Sequence, residues 1–416
     1  MQERLISALF TFKGLYVFFV IAIVFYGNAH VFGGVTPRHI AAIAMIIAFA
    51  KKESHFALNN IICLYLLFIL CFGVSSSVTG YSIEYLTFLF SNYMVSLVAY
   101  WATRILIIRY NGIGTFLNLF IVLGVLDSLI TICQTFGIAL GDDLMQWFHL
   151  YSSQEFMEEL NEERAEDGLS LMMHVMPGAF NNGVANGYFL MTTGVISLKL
   201  LIQRFEIIRL IPWLICTLGC ICVQERSPIV ILIVLSFYVF YKFMVSEEKI
   251  SKLTFIVSLI AIISSVYKFF FRFGSRIAEV GFEDKGRVGI YNNAMNYYFD
   301  HLFIGGFYQF TSEYSTAPHN LILNAFIYGG VIGGFAIVAI LFMQFKPIVE
   351  FLRGKINGLR RLCFITAIAY IAYTLNSFLH NRSIVTGDVM IWMLWAAFYY
   401  SHKISKNDSD ENKCIE

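Results

Sequence analysis

The feature that most constrains this chain is the recurrence of apolar blocks along nearly its whole length, separated by short polar connections. A segment that crosses the hydrocarbon of a bilayer as a helix needs roughly 20 apolar residues. Blocks of that kind fall at 14–33, 36–50, 57–75, 83–103, 113–140, 183–203, 207–224, 228–245, 253–271, 319–344, 362–380 and 388–401. The second and the last are short, and tilt or flanking residues would complete them. Composition agrees: 58% of residues are hydrophobic and 14% charged, against about a quarter charged in a soluble domain. The expected fold is therefore an all-α polytopic membrane protein of about 12 transmembrane helices, with residues 1–416 forming one integral membrane domain. Arg4 and Lys13 precede the apolar run Gly14–Tyr26. With no small-x-small cleavage site after it, this run reads as a retained first span.

Charge placement orients these blocks. With the N-terminus inside, 20 of the 29 Lys and Arg residues fall on cytoplasmic segments and 9 outside, as the positive-inside rule asks. Both termini are then cytoplasmic, and residues 402–416 form a polar cytoplasmic tail. A net charge of +1 supplies no basic field for nucleic acid. The eight cysteines form no CxxC pair or spaced ligand cluster, so neither a disulfide framework nor a zinc site is expected.

Two outer loops are long. Loop 141–182 is acidic, carrying Asp142, Asp143, Glu155, Glu158, Glu159, Glu162, Glu163, Glu166 and Asp167 against Arg164 alone. Its stretch 153–169 suits a short surface helix. Loop 272–318 is mixed and, counting Lys268 at its edge, carries five of the nine outer basic residues. Loops of this length in a compact protein carry function or are disordered.

Candidate chemistry gathers on the outer side. Pro318 suits a helix start, which places His319 and Asn320 at the outer end of a span, where an imidazole can exchange a proton near neutral pH. A histidine that only hydrogen-bonds a neighbouring loop is the competing reading. Arg226 lies in a very short connection, and Arg287 begins an aromatic amphipathic stretch that includes His301. Guanidinium forks match phosphate oxygens, so such arginines can hold a lipid-linked diphosphate and stabilise it as a leaving group. Headgroup anchoring or pairing with the acidic loop would use the same residues. Arg276 and Arg382 are secondary candidates of this type. Asp127 falls mid-span, where a carboxylate marks either function or a polar partner between helices. Glu84 and Asp388 read as boundary residues. Gly329, Gly330, Gly333 and Gly334 give overlapping GxxxG spacing, expected for close helix packing. No carboxylate cluster converges on the arginines, so neither a metal nor another cofactor is expected.

Four segments carry a family resemblance: GAFNNGVANGYFLM at 178–191, ERSPIVILIVL at 225–235, GRVGIYNNAMNYYFDHLFIGG at 286–306 and PHNLILNAFIYGGVIGG at 318–334. Together, in this order and on one side, they resemble the O-antigen polymerase and O-antigen ligase superfamily (Wzy and WaaL types). The chain departs from the pattern at His174-Val175-Met176-Pro177, where the family often has an arginine. It departs again at Leu302, the usual Pro after His301, and at Tyr291, where Trp is common. The resemblance implies a GT-C-like fold in a bacterial inner (cytoplasmic) membrane and a metal-independent, inverting glycosyl transfer on its periplasmic face. The donor would be an oligosaccharide on undecaprenyl diphosphate, with Arg226 and Arg287 on the diphosphate and His319 orienting or deprotonating the acceptor hydroxyl. Membrane lipid and a chain-length regulator protein are the other partners it implies. A polymerase acting on lipid-linked repeat units is the first expectation and a ligase to lipid A–core the second. A polysaccharide transporter or flippase is the alternative of a different class.

Overall fold

The computed structural model describes residues 11–26, 35–49, 59–149, 176–180, 182–204, 206–245, 264, 287–354 and 359–413. Among them every regular element is a helix. In chain order these are α1 (Phe12–Val24), α2 (Pro37–Phe49), α3 (Asn60–Val78), α4 (Ser82–Phe88), α5 (Val95–Tyr110), α6 (Ile113–Thr135), α7 (Ala139–His149) and α8 (Gly183–Gln203). There follow α9 (Ile211–Cys222), α10 (Arg226–Phe240), α11 (Arg287–Asp300), α12 (Phe307–Tyr314), α13 (Leu321–Arg353), α14 (Arg360–Ser377) and α15 (Val389–Lys413). A π-helical turn, Leu89–Met94, joins α4 to α5, and another, Tyr241–Val245, ends α10.

The protein is thus an all-helical membrane protein. Five segments are long and apolar enough to cross a bilayer: Asn60–Val78, Ile113–Thr135, Gly183–Gln203, Arg226–Phe243 and Leu321–Arg353. Eleven of the twelve expected blocks carry helix; block 253–271 lies outside the described residues except for residue 264. The acidic stretch 153–169 and residues 272–286 of the second long loop lie outside them as well. The first part of the acidic loop is helical instead of irregular, because α7 places Met145 inward and Trp147 outward. The outward faces of the long helices are apolar, as with Leu70 and Val74 of α3, Val234 of α10, and Phe335 and Phe342 of α13. Water would penalise such a surface, whereas lipid tails match it.

The described residues group into two compact units. In the unit built from 1–19, 39–113 and 284–416, α13 packs along α3, and α5 along α15. Gly329 and Gly333 let α13 approach Phe68 and Cys71 of α3, the close packing expected of their spacing. Between α5 and α15 the contact is aromatic and hydrogen-bonded: the Tyr100 and Tyr400 hydroxyls lie 2.8 Å apart, and Asn59 Nδ2 donates to Tyr100 at 2.9 Å.

Gly330 behaves differently from its neighbours. Its φ of 60° and ψ of −163° break α13 into two helical pieces, a backbone region open essentially to glycine alone. The segment after α11 fills the break: Leu302 carbonyl accepts from Val331 N–H at 2.9 Å, and Gly306 N–H donates to Ile327 carbonyl at 2.8 Å. A helix interrupted inside a membrane must have its freed backbone groups satisfied by protein, and this loop does so.

In the unit built from 20–38 and 114–283, α8 is enclosed by α6, α9 and α10. Thr193 sits against Gly124 of α6, and Pro228 of α10 against Gly187. Lys199 is nearly inaccessible, and its ammonium donates to Asn118 Oδ1 at 2.6 Å, so the buried charge has an oxygen partner.

Candidate functional site

The site assembles at the N-terminal end of α13. Asn320 is the N-cap: its extended backbone stops the helix, and its Oδ1 accepts from Ile322 N–H at 2.9 Å and Leu323 N–H at 3.1 Å. That is the standard way to satisfy the first free N–H groups of a helix. The cap fixes the residue before it, so His319 stands half-buried at the helix mouth above the buried Pro318.

The connection between α14 and α15 folds onto this mouth. Asn320 Nδ2 donates to Phe378 carbonyl at 3.3 Å, and Asn324 Nδ2 to Asn381 Oδ1 at 3.4 Å. The buried His380 ring meets the His319 ring edge to face, with centroids 6.1 Å apart. Arg382 follows, half-exposed, with Nη1 donating to Asp388 Oδ2 at 3.5 Å. Asp388 is more than a boundary residue: its Oδ1 also accepts from Met390 N–H at 2.9 Å and caps α15. The connection is held from below, where Tyr93 hydroxyl donates to Val385 carbonyl at 2.7 Å.

The third wall is α11. Tyr291 hydroxyl donates to the His319 carbonyl at 3.1 Å, which ties α11 to the helix mouth. Arg287 is the first residue of α11, one turn before Tyr291, and i, i+4 positions share a helix face; its side chain lies outside the described residues. His301 is used elsewhere. Its ring stacks on Tyr297 at 4.2 Å with Nδ1 3.0 Å from Tyr297 carbonyl, closing the end of α11. Arg276 lies outside the described residues.

Two other candidates belong to the second unit. Arg226 opens α10, half-buried, just after Gln224, whose φ of 61° makes the tight turn out of α9. Asp127 is fully buried on α6, and its Oδ1 accepts from Ala179 N–H at 2.7 Å. Around it Asn186 Nδ2 donates to Thr131 Oγ1 at 2.9 Å and to Met176 carbonyl at 3.1 Å. Gln134 exchanges two hydrogen bonds with the backbone of Gly178, at 2.9 and 3.1 Å. Asp127 is therefore a partner in a buried lattice that pins 176–180 against α6 and α8.

His380, Asn381 and Asn324 were not singled out by the sequence, and Asp388 was read only as a boundary residue. A signal exists nevertheless: the dipeptide His-Asn occurs at 319–320 and again at 380–381, each time at a helix end. Among the described residues no three His, Cys, Asp or Glu side chains converge as a metal site would require. The chemistry described at the α13 mouth is that of two imidazoles, amide donors and acceptors, and the Arg382 guanidinium. No family model, no curated protein and no solved structure matches the chain.

Proposed function

We propose that the chain is a glycosyltransferase of the bacterial inner membrane that joins undecaprenyl-diphosphate-linked oligosaccharide repeat units on the periplasmic face, an O-antigen polymerase by resemblance. Twelve spans, a GT-C-like fold and cytoplasmic termini go with this reading. The observation that carries it is the pair of imidazoles, His319 and His380, held 6.1 Å apart at a capped helix mouth. An imidazole there is suited to take the proton of an acceptor hydroxyl as its oxygen attacks the anomeric carbon. The bond from that carbon to the diphosphate breaks with its electron pair leaving on the phosphate, and displacement from the opposite face inverts the centre. The negative charge that develops on the leaving group needs cationic donors in place before the reaction. The resemblance gives that task to Arg226 and Arg287; Arg287 heads the helix tied to His319 through Tyr291, and Arg226 heads α10. Asn320 and Asn381, half-exposed at the mouth, are the amides placed nearest to sugar hydroxyls in this reading.

One observation speaks for a transporter instead, namely the broken helix α13, since interrupted helices hold substrates in many transporters. Those helices offer unpaired backbone groups to the cargo. Here the Ile327 carbonyl and Val331 N–H at the break are bonded to Gly306 and Leu302, which favours a structural role.

The test is product formation by purified protein given lipid-linked repeat units, alone and with lipid A–core. A ladder of longer lipid-linked glycans without core is the expected result. Transfer only with core present makes the protein a ligase. Absence of product from folded protein with its native repeat unit removes glycosyl transfer and returns the transporter reading.

A further inference from the structure

A second cluster near α12 belongs to neither the imidazole pair nor the arginines. Phe72, buried on α3, stacks on Tyr308 with centroids 5.7 Å apart and planes 23° apart. Tyr308 stacks in turn on Tyr81 at 5.5 Å and 26°. These three rings form a column that rises from the core to the half-exposed Tyr81, at the turn between α3 and α4. Gly80 makes that turn with φ +86° and open space around it. Among the described residues neither the Tyr81 nor the Tyr308 hydroxyl has a hydrogen-bond partner.

Carboxylates border the column. Glu84, exposed in the first turn of α4, acts on Tyr308, whose hydroxyl proton is held more tightly through burial first and Glu84 second. Burial first, and then the Glu313 charge and Tyr81, push the neighbouring Tyr297 up to about 12. Glu313 also accepts a hydrogen bond from Tyr314 beside it. No Lys or Arg occurs in 79–88 or 297–317. The Asp and Glu residues within these two stretches are Glu84, Asp300 and Glu313, so they offer an anion only like charge.

We propose that Tyr81, carried on the Phe72–Tyr308 column with Glu84 in the next helical turn, is the platform of a subsite for an uncharged segment of an oligosaccharide, a proposal that rests on the glycosyl-transfer reading. The face of an aromatic ring is electron-rich and attracts the C–H face of a pyranose. Ionised carboxylates accept strong hydrogen bonds from hydroxyl groups. Sugars present both features on opposite aspects of one ring, as does no acyl chain. The column beneath Tyr81 holds its ring in place before the ligand arrives, which removes an ordering cost from binding.

The experiment uses the full chain in detergent on a printed array of neutral and anionic bacterial oligosaccharides. The wild type is expected to be retained by neutral oligosaccharides over anionic ones. Tyr81→Ala weakens retention about tenfold, Tyr81→Phe keeps it because the ring remains, and Glu84→Gln weakens it about threefold. No retention of the wild type, preference for anionic oligosaccharides, or equal retention of Tyr81→Ala overturns the subsite and leaves these tyrosines as membrane-interface anchors. Product assays separate the two ideas. Retention as described with no product from any acceptor keeps the subsite and discards glycosyl transfer, whereas normal product lengths from Tyr81→Ala discard the subsite alone.

Discussion

The α13 mouth and the Asp127 lattice are both polar clusters in an apolar protein, but they are built for opposite ends. At the mouth, backbone groups are satisfied by Asn320 and the 378–388 connection, while His319 and Arg382 keep half-exposed side chains. Around Asp127 the groups are fully buried and tied to backbone: Ala179, Gly178 and Met176 are each held by a side chain. Buried polar groups without partners are costly, so such a lattice fixes one chain path. The half-exposed imidazole at the capped helix end keeps part of its surface accessible. What separates the two cases is burial: Asp127, Thr131, Gln134 and Asn186 are fully enclosed, whereas His319 and Arg382 are half-exposed.

The sharpest way to break this contrast is His319→Ala. Loss of a general base lowers turnover by about 10²–10⁴-fold, while thermal unfolding in detergent should stay at the wild-type temperature because Asn320 still caps α13. Near-normal product from this variant would move the mouth into the structural class. Arg287→Lys comes next in effect on turnover: charge is kept but the planar fork is lost, and donor KM is expected to rise with the fold unchanged. Full activity would remove Arg287 from the diphosphate. On the other side of the comparison, Gly178→Ala should cost about 2–4 kcal/mol of stability, from a left-handed residue and overpacking. Its φ is +60°, and a Cβ would stand 2.5 Å from both Asn186 Nδ2 and Asp127 Oδ1. Denaturant unfolding reads this directly, and a variant as stable as wild type would show that the lattice does not hold 176–180. The smallest effect is expected from Asn320→Ala, about 1 kcal/mol for a lost cap. A fall in turnover together with that loss would show that the cap also positions His319.

Much of this was readable in the sequence. The blocks at 183–203 and 113–140 became helices Gly183–Gln203 and Ile113–Thr135, because transfer of a segment into lipid depends on its own composition. Pro318 marked the approach to a helix, but the helix begins at Leu321 with Asn320 as its cap. Gly329 and Gly333 pack as their spacing foretold, but Gly330 does not. Its break exists only because residues 302–306, distant along the chain, dock there. Asp127 stayed ambiguous in the sequence for the same reason, since its partner Ala179 comes from the far end of the acidic loop.

Local composition was enough to specify an all-helical chain with segments able to cross a bilayer and the residue types between them, though not where each helix ends. Only the tertiary structure decided that His380 and Asn381 meet His319 and Asn324, that Tyr291 ties Arg287's helix to them, and that Phe72 supports Tyr81 through Tyr308. Such pairings depend on which helices pack against each other, and close packing selects partners by shape over the whole interface, a property that no single stretch of chain contains.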